Sequence, residues 1–319
     1  MSFNENVQLD TSQVEARGGS GGLGGGGGFP GGLQVGGGIG GLILLILTLL
    51  FGGNLIGGSN TQVPDGTTTG RGSSLDPGQV SAGGQQGAAA IAQCRTGADA
   101  NRDDACLVVA TVNSVQAYWA QTLPQYGVQY SPAPTVLYDG ATQSACGTAS
   151  NQVGPFYCPL DRKVYIDASF FQELTTRFGA DGGQLAKEYV VAHEYGHHVQ
   201  DILNLLGRAQ QDPQGAQSGA VRIELMADCL AGTWVKHATE TKDANGVAYL
   251  KPITQQDVTS ALSAAAAVGD DRIQKTMQGR VTPENWTHGS SAARQRWFTS
   301  GYTSGDINQC NTFGVSRVE

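Results

Sequence analysis

A long stretch without charge divides this chain into parts that fold under different constraints. No charged residue occurs between Arg17 and Asp65, and twenty of the 47 glycines lie between Gly18 and Gly58. Glycine-rich tracts of this kind do not build a packed core. We therefore predict a glycine-rich, disordered N-terminus over residues 1–34 and a folded part that begins later in the chain.

Inside this uncharged stretch, residues 35–56 are apolar apart from glycine, Thr48 and Asn54. As a helix they would extend about 33 Å at about 1.5 Å per residue, and the hydrocarbon core of a bilayer is about 30 Å thick. We predict one transmembrane helix here. Because its dense apolar part is short, residues 42–51, a signal-peptide core or a buried helix of a soluble domain is the alternative.

Residues 57–87 contain too few apolar side chains to offset the entropy of ordering them, which indicates a flexible linker. Periodic patterning follows, and residues 88–319 are predicted to form one domain. Strands are few, so its fold class should be helix-rich α+β with a small sheet. The predicted elements are a helix from Asp103 or Asp104 to 119, a strand at 163–167, a short helix at 169–178, and helices at 183–206, 218–239, 254–277 and 290–302.

The helix predicted over 183–206 carries the run HEYGHH. His193 and His197 are four residues apart, so their imidazoles project from one helix face, as two ligands of one metal ion must. Glu194 lies beside that face, where its carboxylate can reach a water held by the metal and act as a general base. H-E-x-x-H also arises by chance on amphipathic helices. A metal site is favoured because apolar residues 189–192 precede the motif. Gly196, unfavourable in a helix by about 1 kcal/mol relative to alanine, is explained if another backbone packs closely there.

Two imidazoles leave a catalytic zinc ion short of a ligand, since such sites usually have three protein ligands and one open position. Glu224 and Asp228 lie four residues apart in the next predicted helix, within the otherwise apolar run IELMADCLAG. An unpaired buried carboxylate is costly, and a metal ion together with an imidazole would remove that cost. We predict that Glu224 binds Zn²⁺ and that Asp228 accepts the N–H of a ligand histidine. Pairing of both carboxylates with Arg222 or another cation is the alternative.

These motifs together resemble a known family. HEYGHH is followed by RIELMADCLAG, AAAAVGDDRIQ and THGSSAARQRWF, a series similar to the neutral zinc metallopeptidases, which are single-span bacterial membrane proteins. The match extends from Cys94 to Phe313 and includes the anchor. The resemblance implies a zincin-like catalytic domain. H-E-x-x-H followed by E-x-x-x-D resembles the gluzincin arrangement, which implies Glu224 as the third ligand, but it supplies no substrate.

The resemblance also implies a role for a later histidine. Gluzincins commonly stabilise the oxyanion with a His or Tyr from a later helix, and His288 opens the run HGSSAARQRWF. We therefore expect His288 to be a catalytic residue, with a capping or surface histidine as the alternative. The segment GDDR, residues 269–272, suggests only an ion-pair cluster.

Six cysteines form no C-x-x-C pair, which argues against a second, cysteine-bound zinc. Disulfides require an oxidising compartment, so we expect a single-pass protein of the cell membrane with an extracytoplasmic catalytic domain. Six reduced thiols in a cytosolic domain are the alternative. From closeness in sequence, the expected pairs are Cys94–Cys106 and Cys146–Cys158, which leaves Cys229–Cys310.

The formal net charge is −8, without any run of cations. Nucleic-acid binding needs clustered cations, so the expected partners are a peptide or protein substrate and a membrane, and not nucleic acid. The predicted function is a membrane-anchored zinc metallopeptidase that hydrolyses peptide bonds, with Glu194 as general base. Two alternatives stay open, namely a zinc-stabilised extracytoplasmic binding or scaffold protein without turnover, and a zinc amidase acting on a non-protein amide.

Overall fold

A computed structural model describes residues 2–17, 91–150 and 153–319 of the chain. Over these residues the fold is α+β, rich in helices and with a small sheet, as predicted. The described strands are β1 (Val14–Arg17), β2 (Thr135–Tyr138), β3 (Ala141–Ser144), β4 (Gly147–Ser150), β5 (Phe156–Cys158) and β6 (Lys163–Asp167). The described helices are α1 (Gly97–Ala100), α2 (Asp104–Thr122), α3 (Phe170–Thr176), α4 (Gln184–Ile202), α5 (Gly207–Gln211), α6 (Gly219–His237), α7 (Gln255–Ala267), α8 (Asp270–Gln278) and α9 (Ser291–Ser304).

The main sheet has the strand order β1-β2-β6-β5, and β3 pairs with β4 as a separate antiparallel hairpin. β1, β2 and β6 are parallel, whereas β5 runs antiparallel at the edge beside β6. All of β2 is buried, and β6 is buried beyond its first residue. The predicted strand at 163–167 is therefore confirmed. Both of its faces are covered, as is usual for central parallel strands.

The N-terminal segment departs from the sequence-based prediction. Phe3 and Val7 are fully buried in the main core, and β1 adds to the sheet beside β2. The backbone N–H of Phe3 donates to Asn101 Oδ1 at 2.8 Å, and that of Asp10 donates to Asn113 Oδ1 at 2.8 Å. The predicted disorder of residues 1–34 is thus wrong for residues 2–17. A segment poor in apolar residues can be ordered when its backbone groups pair with an existing sheet edge.

The predicted transmembrane helix (35–56) and linker (57–87) lie outside the described residues. Within the described ranges, no helix combines the length and apolar character that a bilayer crossing requires. Pairing of β1 with β2 places residues 17 and 91 in one folded unit. The single-pass arrangement stays a prediction.

Helices α4 and α6 pack closely at the centre of the domain. A Cβ atom on Gly196 would lie 3.0 Å from the Cα of Ala227 and 3.1 Å from its carbonyl oxygen. The close backbone approach expected at Gly196 is confirmed, and it sets α6 against the face of α4 that carries HEYGHH. Helix α9 approaches α6 from another side, where a Cβ on Gly301 would overlap the carbonyl oxygen of Cys229.

Side chains mark the helix boundaries as sequence rules anticipate. Asp103 caps α2 by accepting from the N–H of Cys106 at 3.0 Å, and Ser218 caps α6. The predicted helix over 254–277 is wrong as one element, because α7 ends at Ala267 and α8 begins at Asp270. The break occurs at Gly269, where α9 is so close that a Cβ would lie 2.5 Å from the backbone nitrogen of Ser291.

All three predicted disulfides are present. The first two close short local loops, and the third joins α6 to the turn beyond α9 across a separation of 81 residues. A crosslink across a loop of that size stabilises a fold by about 4 kcal/mol in the chain-entropy account. The pairs are Cys94–Cys106, Cys146–Cys158 and Cys229–Cys310.

Candidate metal centre and active site

Three predicted ligands meet where α4 crosses α6. His193 Nε2 lies 3.2 Å from Glu224 Oε2, and His197 Nε2 lies 3.4 Å from Glu224 Oε1. One ligand atom from each residue falls within 4.8 Å of the other two, and all three residues are buried. Two imidazole nitrogens and one carboxylate oxygen are the protein donor set of a catalytic zinc site, in which water or substrate takes the fourth position. The residues therefore fit the predicted Zn²⁺.

Asp228 lies behind His193, as predicted. Its Oδ1 atom is 2.9 Å from His193 Nδ1, so the ring donates from Nδ1 and keeps Nε2 for the metal. Arg294 donates to both oxygens of Asp228, each at 2.9 Å, and the hydroxyl of Tyr189 donates to Oδ1. The alternative, in which the two carboxylates pair with a cation, is thus partly correct, because Asp228 pairs with the Arg294 guanidinium as well as with the His193 imidazole. Arg222 is not that cation, since it donates to backbone carbonyls near the C-terminus.

His197 is oriented by a residue of its own helix. Its Nδ1 lies 2.8 Å from the amide oxygen of Gln200, and Gln200 Nε2 donates to the carbonyl oxygen of Ile223 at 2.7 Å. The amide oxygen can only accept, so His197 also presents Nε2 to the metal. Sequence reasoning missed Gln200, Tyr189 and Arg294. The i,i+3 spacing of His197 and Gln200 was the available signal for Gln200.

Glu194 follows His193 directly and is 7% exposed, so it is shielded from bulk water. Burial raises the pKa of its carboxyl, and this effect outweighs the neighbouring imidazoles, which lower the pKa. A carboxylate with a raised pKa is a better proton acceptor at neutral pH. The structure thus places at position 194 a buried carboxyl suited to general-base chemistry.

His288 lies on the turn before α9, with a side chain that is 17% exposed. Burial lowers the pKa of His288, but the carboxylates of Glu224 and Asp270 raise it by more than burial lowers it. The net effect is a raised pKa. The interaction with Glu224 brings His288 into the electrostatic field of the metal ligands. The alternative of a capping histidine is wrong, because Ser290 caps α9 by accepting from the N–H of Ala293.

The charges at this site favour a bound cation. Burial lowers the pKa of His193, but Asp228 and Glu224 together raise it to about 10. The pKa of Glu224 is lowered well below its usual value, since the histidines outweigh the cost of burial. A site of this kind retains protons on imidazole nitrogen when no metal is bound, and a divalent cation would displace those protons when it binds.

Comparison with known proteins agrees with this geometry. A family described as "putative neutral zinc metallopeptidase" matches residues 4–313. The chain belongs to this family. The matched range includes the N-terminal segment that joins the sheet, together with every candidate site residue. The family's description implies zinc, which the two histidines and Glu224 can bind, and it bears out the part of the resemblance that concerns the neutral zinc metallopeptidase family itself.

Relatives of this metallopeptidase family member occur in Mycobacterium and in Escherichia coli. The uncharacterized protein Rv2575 of Mycobacterium tuberculosis is 55% identical over 229 residues, which are 72% of this chain and 77% of the relative. The uncharacterized protein YpfJ of Escherichia coli K12 is 41% identical over 222 residues, which are 68% of this chain and 74% of the relative. No solved structure matches the chain.

Proposed function

We propose that this protein is a zinc-dependent metallopeptidase of the gluzincin type that hydrolyses peptide bonds. One observation carries the proposal, namely that buried Glu194 directly adjoins a donor set of two histidines and one glutamate. No ligand role requires a carboxylate at that position, whereas hydrolysis requires a base there. Zinc, when bound, would polarise the scissile carbonyl and acidify water.

Each side chain then has a defined task. Glu194 takes a proton from the attacking water and passes it to the leaving amine. His288 donates a hydrogen bond to the carbonyl oxygen as negative charge develops there. Asp228, Arg294 and Tyr189 hold His193 in one orientation.

We also propose that the domain is extracytoplasmic and attached to a membrane through residues 35–56. The three disulfides support an oxidising compartment. If β1 keeps its pairing with β2 in the membrane-attached protein, residues 17 and 91 would lie on one side of the membrane, and attachment would need an even number of crossings or insertion into one leaflet.

The proposed activity is tested by Glu194→Gln, which is nearly isosteric but cannot accept a proton from water at neutral pH. The matched control is Glu240→Gln on the surface. The measurements are zinc stoichiometry by elemental analysis, thermal melting, and cleavage of a mixed peptide library by mass spectrometry. Wild type and control should cleave, while Glu194→Gln should bind one zinc, melt normally and lose about 10²- to 10⁴-fold in rate.

Other outcomes would favour the rival functions. Wild-type protein that binds zinc but cleaves neither peptides nor other amides would indicate a zinc-stabilised scaffold. Cleavage of non-protein amides alone would indicate an amidase. Undiminished cleavage by Glu194→Gln would remove Glu194 from the mechanism.

A further inference from the structure

The turn that carries His288 is held by carboxylates. Five consecutive backbone N–H groups, those of residues 287–291, each donate to a carboxylate oxygen. The first three donate to the same atom, Asp270 Oδ2, at 2.7, 2.7 and 3.0 Å. The other two donate to Glu319 and Asp271. Segment GDDR, which suggested only an ion-pair cluster, therefore holds this turn through its two aspartates.

Asp270 also faces the imidazole that the turn presents. Its second oxygen, Oδ1, is buried, has no hydrogen-bond partner in the described part of the chain, and lies 3.5 Å from His288 Nδ1. The hydroxyl of Thr287 lies 2.9 Å from the same ring nitrogen. A fully buried carboxylate is costly unless several donors satisfy it. One carboxylate thus fixes the backbone through Oδ2 and faces the ring through Oδ1.

This arrangement limits the orientations that His288 can adopt. A ring whose Nδ1 faces Asp270 and Thr287 directs Nε2 to the opposite side. A freely rotating histidine would hold the productive orientation only part of the time, and loss of orientation costs rate and not ground-state affinity. The effect of Asp270 should therefore appear in kcat.

We propose that Asp270 is a positioning residue that orients His288 toward the reacting carbonyl, an inference that rests on the proposed peptidase function. Asp270 touches neither the metal ligands' donor atoms nor the substrate in this role. In this role it acts through the His288 ring, so its contribution to kcat should largely vanish when that imidazole is absent, even though Oδ2 still holds the turn.

The kinetic test is Asp270→Asn, alone and in a His288→Ala background, with Asp271→Asn as the matched control in the same segment. On a peptide that the wild type cleaves, Asp270→Asn should lower kcat about 10- to 100-fold with little change in KM. Asp271 holds the same turn through Ser291, so Asp271→Asn reports the effect of loosening the turn and should lower kcat by less than Asp270→Asn does. In the His288→Ala background, Asp270→Asn should change kcat less than twofold. An equal loss with and without His288 would overturn the proposal and indicate a general structural role.

A second measurement needs no turnover and separates failure of this inference from failure of the proposed function. The chain has only five histidines, so ring ¹⁵N–¹H NMR can assign His288 by comparison with His288→Gln. The zinc-loaded wild type should show an exchange-protected, downfield Nδ1 proton on His288. Asp270→Asn should weaken that protection and shift the proton upfield, although Thr287 Oγ1 stays 2.9 Å from the same nitrogen. A solvent-averaged His288 ring in the wild type would overturn the proposal even if Asp270→Asn failed to fold, or if no substrate were found.

Discussion

Asp228 Oδ1 lies 2.9 Å from His193 Nδ1, on the side of the imidazole that faces away from Glu224. Asp228 is fully buried, and Arg294 donates to both of its oxygens. The burial of this carboxylate is tolerable only because a guanidinium and an imidazole both pair with it. Stability and metal binding therefore depend on the same side chain.

We expect Asp228→Asn to lower zinc affinity about 10- to 100-fold, because the orienting acceptor for His193 is weakened. Glu224→Ala should lower zinc affinity more, because it removes a direct ligand. Competition with chelators of known affinity measures both. Unchanged affinity in Glu224→Ala would place the third ligand elsewhere and end the gluzincin assignment.

Zinc uptake should release protons. The metal-free site holds a proton on His193, whose pKa is raised to about 10, and that proton must leave when Nε2 binds the ion. Zinc affinity should therefore rise with pH between about 6 and 9, by close to tenfold per unit if one proton is released. Calorimetry in buffers of different ionisation enthalpy counts the protons. A binding enthalpy that is independent of the buffer would contradict this prediction.

The residues that sequence could place share one property, which is that local spacing determines their positions. His193, Glu194 and His197 lie within one turn of one helix, and Glu224 and Asp228 within one turn of another. Residues four apart on a helix project from the same face, so His193 and His197 lie on one face of their helix, and Glu224 and Asp228 on one face of theirs, however the two helices pack. The start of α2 at Asp103 depends equally on a single turn of chain.

What sequence could not place depends on contacts between distant segments. Arg294 reaches Asp228 across 66 residues, and Asp270 reaches the His288 turn across 18. Order in residues 2–17 depends on the edge of β2, more than a hundred residues away. Composition and periodicity describe a segment by itself, so they contain no information about which distant partner completes it.

Glu188 should make stability depend on pH. Burial raises its pKa to about 8, and neither carboxylate oxygen has a hydrogen-bond partner among the described residues. The folded protein keeps this proton up to about pH 8, whereas the unfolded chain releases it near pH 4.5. The unfolded state therefore binds fewer protons in between, and the free energy of unfolding falls as pH rises, by at most about 1.4 kcal/mol per unit.

Glu188→Gln removes this titration, so the variant should gain stability relative to wild type as pH rises from 5 to 8. Urea unfolding at several pH values measures the difference, with exposed Glu240→Gln as the control. Parallel pH profiles for wild type and Glu188→Gln would contradict the raised pKa.

Because β1 pairs with β2, the N-terminal segment and the catalytic domain should lie on the same side of any membrane to which the protein is attached. All six native cysteines form disulfides, so a single introduced thiol can be labelled specifically. Asn6 and Arg280 are both exposed and suit this purpose. Asn6→Cys and Arg280→Cys should both react with a membrane-impermeant maleimide in intact spheroplasts, and the unmodified chain should not react. Labelling of Arg280→Cys alone, with Asn6→Cys reacting only after lysis, would support the single crossing and show that β1 leaves the sheet in the membrane-bound protein.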